Sequence, residues 1–189
     1  MAKVITTISL KGGVGKTTIT AGIAEFMSAE FGRKVLLIDL DSQINLTTMM
    51  ISEEHWFDLN KKGLTLATLF KDAVEGTSNF DIQASIQQSV SPVKKVTGVD
   101  LLPSSLDLIG LQERISALRV NEGSPTSAVD ILGKAIDPVS AYYDYILIDC
   151  PPNVGPITLN GLAMADGYII PTIPDVLSTY GIPQIQSRI

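Results

Sequence analysis

Residues 3–18 read Lys3-Val4-Ile5-Thr6-Thr7-Ile8-Ser9-Leu10-Lys11-Gly12-Gly13-Val14-Gly15-Lys16-Thr17-Thr18. A β-branched run over 3–9 gives way to closely spaced glycines, and a helical pattern then runs over 17–31 until Gly32 ends it. The spacing predicts a strand, a glycine loop and a helix. Backbone N–H groups of such a loop converge on phosphate oxygens, and the start of the helix adds its partial positive charge. In that arrangement Lys16 reaches the β/γ-phosphates, Thr17 offers a hydroxyl to Mg²⁺, and Thr18 touches the α-phosphate side. The strict pattern Gly-x-x-x-x-Gly-Lys-Ser/Thr nevertheless fails, because it needs glycine at position 10 and Leu10 stands there. A second lysine, Lys11, sits at the start of the loop, where its side chain is poorly placed to share phosphates already held by Lys16.

Outward from this unit the chain keeps alternating. Residues 34–39 form a continuous apolar run suited to a strand buried on both faces of a parallel sheet. Further strands are expected at 99–102, 145–149 and 168–170, with helices at 65–74, 106–118, 128–136 and 157–165. This predicts an α/β fold: a mostly parallel, twisted sheet with helices on both faces. The polar stretch 51–63, with His55-Trp56-Phe57 inside it, and the weakly patterned 75–96 read as surface excursions. With no repeat or low-complexity tract, residues 1–189 are expected to form one nucleotide-binding domain. A further helix is expected to begin near Ser178, just before the end.

The 189 residues include 14 Lys+Arg and 20 Asp+Glu, a formal charge of −6, with 45% hydrophobic and 18% charged residues. An acidic chain with a pI near 4.7 does not coat DNA or anionic membrane through its overall charge, so DNA binding has to be local or conditional. Cys150 is the single cysteine, which excludes an internal disulfide and a CxxC-built metal site and points to a reducing compartment. No apolar run approaches the ~18 residues of a membrane span. A cytoplasmic protein is expected.

Lys11-Gly12-Gly13-Val14-Gly15-Lys16-Thr17-Thr18 resembles the deviant Walker A loop of the ParA/MinD superfamily of P-loop ATPases. Asp39-Leu40-Asp41-Ser42-Gln43-Ile44-Asn45-Leu46-Thr47 resembles the DxDPQxNxT segment of ParA-type partition ATPases, with Ser42 in place of the proline. Tyr145-Ile146-Leu147-Ile148-Asp149-Cys150-Pro151-Pro152 resembles their Walker B strand and following loop. Ile169-Ile170-Pro171-Thr172 and Tyr180-Gly181 match a later family stretch more loosely.

The resemblance implies a P-loop NTPase fold binding ATP or ADP with Mg²⁺ and hydrolysing ATP slowly. It implies that Lys11, Gly12, Gly13, Val14, Gly15, Lys16, Thr17 and Thr18 hold the nucleotide. It assigns Thr17, Asp41 and Asp149 to the magnesium shell, Asp41 also to positioning the attacking water, and Asp39 to supporting the strand end. Lys11 would cross a dimer to the phosphates of the opposite subunit, tying ATP to homodimerisation. Segments near Asp41 and over 149–155 would rearrange when the γ-phosphate leaves, with Gly155 and Pro156 suited to a hinge. The implied role is plasmid or chromosome partitioning through ATP-dependent, non-specific DNA binding on the nucleoid, reset by a ParB-like activator. The family's C-terminal strands and helices, which carry adenine and DNA contacts, are expected to be absent. Three alternatives stay open: a MinD-like or cargo-positioning ATPase; from another class, a dethiobiotin-synthetase-like ATP-dependent biosynthetic enzyme; and a bare nucleotide-binding fragment with no activity. No amphipathic membrane anchor is visible, and Lys11 with the Asp41 segment speaks against a small-substrate enzyme.

Other features carry less. His55 lacks partners for a metal site. Tyr142, Tyr143 and Tyr145 lead into a buried strand and are expected to pack there. Lys61-Lys62, Lys94-Lys95, Arg114 and Arg119 suit solvated faces, and Cys150 suits a small buried position.

Overall fold

The computed structural model describes residues 1–117, 128–174 and 176–187, with the side chains of 176–180 outside the description. In chain order the elements are β1 Lys3–Thr7, α1 Lys16–Phe31, β2 Val35–Asp39, α2 Asn45–Met50, α3 Glu53–Lys61, α4 Leu66–Glu75, α5 Ile82–Ser85, β3 Val99–Leu102, α6 Leu108–Ala117, α7 Ile131–Ser140, β4 Tyr145–Asp149, α8 Pro156–Ala163, β5 Gly167–Ile169 and α9 Val176–Gln186. The strands form one parallel sheet in the order β3-β2-β4-β1-β5.

All five β2 residues are buried. Alternate side chains go to opposite faces: Leu36 and Ile38 join the core under α4, α6, α7 and α8, whereas Val35 and Leu37 join the core under α1 and α2. This two-sided burial explains the absence of polar alternation in the strand. Strand register sets the chemistry of one sheet edge. Thr7 pairs with Asp149 across β1 and β4, and Asp39 pairs with Asp149 across β2 and β4. Two carboxylates therefore stand side by side at the carboxyl ends of adjacent strands.

Several expectations need correction. Residues 53–61 are helix, capped by Ser52, whose Oγ accepts from the His55 amide at 3.2 Å. The apolar pattern hid α3 because Leu59 is its one buried residue among those described. Residues 82–85 form α5, capped by Asp81, and Gln87 makes an antiparallel bridge to Leu101 on the outer edge of β3. Val96 is buried there, so 75–96 shields an edge strand and is more than a surface excursion. α7 runs to Ser140 through Pro138, beyond the expected end at 136, because Val139 continues the buried stripe of Ile131, Leu132 and Ile136. Tyr142 is 66% exposed and not packed. Tyr143 donates to Asp100 Oδ2 at 2.9 Å and Tyr145 packs on the second core. Leu118 and Arg119 lie outside the described residues.

Candidate functional site

β1 ends at Thr7, and residues 8–15 carry the chain across the carboxyl edge of the sheet into α1. Gly13 and Gly15 adopt φ of +72° and +88°, in the left-handed region that side chains rarely enter. The loop is thereby turned so that the start of α1 opens onto a cleft of about 660 Å³, within the size range of small-ligand sites. Gly12, Gly13, Gly15, Lys16, Thr17 and Thr18 line it on one side, and Asp41, Gln43 and Asn45 on another. This is the crevice outside the strand carboxyl ends where ligands of open α/β sheets bind.

Lys16 is buried, and its Nζ donates to the Lys11 carbonyl at 3.5 Å, which folds the lysine back over its own loop. Lys11 is half-buried at the loop start and, like Val14, does not line the cleft. Thr17 Oγ1 donates to Asp149 Oδ2 at 2.6 Å. Asp149 Oδ1 is buried with no hydrogen-bond partner. Burial pushes the Asp149 carboxyl up to about 6, against the Thr17 hydrogen bond and the Lys16 charge, while Asp41 adds to the rise. An orphaned carboxylate oxygen beside a threonine hydroxyl and a buried lysine fits a hard divalent cation. Among the described residues no group of three or more His, Cys, Asp or Glu could cage a cation alone, so phosphate and water would complete its shell.

Asp39 is fully buried between the sheet and the next loop. Its Oδ1 accepts from the Asp41 amide at 3.0 Å, and its Oδ2 from the Thr47 amide at 2.9 Å and Thr47 Oγ1 at 2.7 Å. Burial and the charge of Asp149 push it up to about 8, although these donors favour the carboxylate. Asp39 thus braces the strand end, as expected. Asp41 is buried at the cleft wall, and its Oδ1 accepts from the Gln43 amide at 2.9 Å.

The structure therefore brings together Gly12, Gly13, Gly15, Lys16, Thr17, Thr18 and Asp41, with Asp149 reached through Thr17. Sequence reasoning missed Thr48, Met49 and Pro152 as further cleft wall, and Ser104 behind it. Nothing local signals Ser104, which lies 63 residues from the Asp41 carbonyl it binds. Cys150 is fully buried and burial pushes its thiol up, consistent with a packing role. His55 is exposed, its Nε2 2.9 Å from Gln87 Oε1.

A glycine loop opening a helix at the carboxyl edge of a parallel sheet, faced by strand-end aspartates, defines a P-loop nucleotide-binding protein. The AAA domain family matches residues 2–189, and the chain belongs to it, within the ParA-type partition ATPases of the ParA/MinD superfamily. The chain is 36% identical over 181 residues to the uncharacterized protein Rv1708 of Mycobacterium tuberculosis, a match covering 96% of this chain and 50% of that protein. It is 30% identical over 192 residues to the sporulation initiation inhibitor protein Soj of Bacillus subtilis, covering 100% of this chain and 65% of Soj. Among solved structures, a plasmid partition protein from Borrelia burgdorferi superposes with a TM-score of 0.77 at 26% identity, covering 100% of this chain and 73% of that one. Cobyrinic acid a,c-diamide synthase from Mycobacterium smegmatis, with bound ATP analog and magnesium, gives 0.77 at 28% identity, covering 100% and 65%. The chain spans about half to just under two-thirds of the length of these curated relatives.

Proposed function

We propose that this chain is the nucleotide-binding domain of an ATP-driven dimerising switch that hydrolyses ATP and moves or partitions a cargo, a plasmid or chromosome in the first instance. The observation that carries the proposal is the meeting of buried Lys16, the Thr17–Asp149 pair with its orphaned Oδ1, and Asp41 around one cleft. Backbone N–H groups of Gly12 to Thr18 and the Lys16 ammonium would bind the phosphates. Thr17 and Asp149, with Asp41 nearby, would hold Mg²⁺, which supplies charge neutralisation for the phosphates. Asp41 would orient the attacking water through the carboxylate oxygen not used by Gln43. Lys11 would act across the dimer, so that only the ATP state supports pairing.

Dimerisation then gates DNA contact. A chain with net charge −6 has to build its DNA-binding surface locally, and doubling the chain brings two such patches onto one duplex. A ParB-like activator would reset the switch. The working site is the cytoplasm, with nucleoid association in the ATP state; among the described residues no helix is long and apolar enough to cross a membrane. The structural match to the cobyrinic acid a,c-diamide synthase favours a second reading, an ATP-dependent biosynthetic enzyme that activates a small substrate on the same loop. Lys11 and the Asp41 segment favour the switch.

Sedimentation of the wild type and Lys11→Ala, each without nucleotide, with Mg·ADP and with Mg·AMPPNP, separates the two. The switch requires that wild type alone dimerises, and only with Mg·AMPPNP. A sedimentation coefficient indifferent to nucleotide, or unchanged by Lys11→Ala, removes the switch and leaves the biosynthetic reading.

A further inference from the structure

The loop that carries Asp41 is held from outside the cleft. Asp41 is followed by a turn in which the Ile44 amide donates to the Asp41 carbonyl at 3.0 Å, and Ile44 itself sits at φ +55°, an unfavourable region for a β-branched residue. The same Asp41 carbonyl accepts a second hydrogen bond, 2.7 Å long, from Ser104 Oγ in the segment after β3. Ser104 is fully buried and uses all its polar groups on this neighbourhood. Its amide donates to Thr47 Oγ1 at 3.0 Å, and that hydroxyl donates on to Asp39 Oδ2. Its carbonyl accepts from Trp56 Nε1 at 3.0 Å. A continuous relay thus runs from the indole on α3, through Ser104, to the backbone of Asp41 and to the carboxylate of Asp39.

From this geometry we infer that Ser104 is the positioning residue for Asp41, and that Trp56 couples helix α3 to the setting of the Asp41 loop. The inference rests on the proposed hydrolytic role of Asp41. Ser104 does not line the cleft and touches no nucleotide-facing group except through the Asp41 backbone. Its effect is on where the Asp41 carboxylate stands when the γ-phosphate arrives. Without the Ser104 hydroxyl, one of the two bonds on the Asp41 carbonyl is lost and the strained Ile44 turn is free to relax. Phosphate binding by the loop at 12–18 is then untouched while turnover falls. Trp56 is the sole tryptophan in the chain, so its emission reports this relay without interference.

The test uses the purified full chain with two variants. Ser104→Ala deletes only the hydroxyl, leaving the Ser104 amide and carbonyl in place; Trp56→Phe deletes the indole donor at a half-buried surface position. Loss of one positioning hydrogen bond predicts about a tenfold fall in kcat for Ser104→Ala and a smaller fall for Trp56→Phe, with ATP affinity within about twofold of wild type. Wild-type Trp56 emission should change on adding Mg·AMPPNP, and Ser104→Ala should lose that change. Unimpaired turnover in Ser104→Ala, equal losses of kcat and affinity, or wild-type emission indifferent to bound Mg·AMPPNP overturns the inference. A wild type that binds Mg·AMPPNP and hydrolyses no ATP overturns the hydrolytic reading of Asp41 and this inference with it.

Discussion

At the carboxyl edge of the sheet, Asp39 and Asp149 stand paired in register, 0% and 1% exposed, and burial pushes both upward, to about 8 and about 6. At the amino edge, Asp144 and Asp166 sit in the open. Asp166 meets Lys3 at 3.3 Å and accepts from the Val4 amide at 2.9 Å; Asp144 meets Arg33 at 3.5 Å and accepts from the Lys34 amide at 2.9 Å. The Val4 amide, with Lys3, lowers the Asp166 carboxyl below its ordinary value. One residue type is thus used in two ways. The amino edge is complete, with each carboxylate closing a strand start against solvent. The carboxyl edge holds crowded acid groups and one orphaned oxygen, a strain that protonation relieves at low pH and a bound cation would relieve at neutral pH.

The largest test of this contrast is Lys16→Ala. Lys16 is buried at this edge, and its charge lowers the Asp149 carboxyl. Its removal should weaken ATP binding at least about a hundredfold, measured by titration with a fluorescent ATP analogue. Binding within a few-fold of wild type would move the phosphate site away from this loop.

Next comes the pH dependence of the ligand-free fold. A carboxyl whose pKa rises on folding, from 3.8 to about 6 for Asp149, binds its proton more tightly in the folded state. Stability then falls as pH rises from about 4 through 6, and Asp39 extends the decline toward 8. Asp149→Asn removes the first part. In denaturant unfolding without metal or nucleotide it should be more stable than wild type at pH 8 by about 1 to 3 kcal/mol and flatter between pH 4 and 6. It should also lose the stabilisation that Mg·ATP gives the wild type. A variant less stable than wild type at pH 8 would mean that Asp149 is a structural brace like Asp166.

Much of this contrast was legible in the chain. The β-branched run before Gly12 and the apolar 34–39 specify strands through local preference and two-sided burial, and the aspartates ending the second and fourth strands follow from where those runs stop. The pairing of Asp39 with Asp149 was not legible, because it depends on a register between strands more than a hundred residues apart. Nor was α2, whose first residue follows Ile44 in a left-handed conformation with no capping side chain to announce it. Ser104 escaped for the same reason as the register: its partners are the Asp41 carbonyl and the Thr47 hydroxyl, and no periodicity links them. Local chemistry of the site is written locally; what holds it in place is written across the fold.

The smallest test belongs to the amino edge, where the contrast predicts stability effects without functional ones. Gly98 immediately precedes β3, and a Cβ added there would lie 2.7 Å from Ser28 Oγ and 2.8 Å from the Arg33 carbonyl. The serine can rotate away only by giving up the bond it accepts from the Gly98 amide at 3.2 Å. The Arg33 carbonyl is backbone, and the turn that carries it follows Gly32, whose left-handed φ of 61° ends α1. Relief therefore requires shifting the α1–β2 connection, at the strand ends opposite the cleft. Gly98→Ala should cost about 1 to 2 kcal/mol in denaturant unfolding, with nucleotide affinity unchanged in the folded fraction. If affinity falls along with stability, strain at the amino edge reaches the carboxyl edge through β2, and the two ends of the sheet are coupled rather than divided in their work.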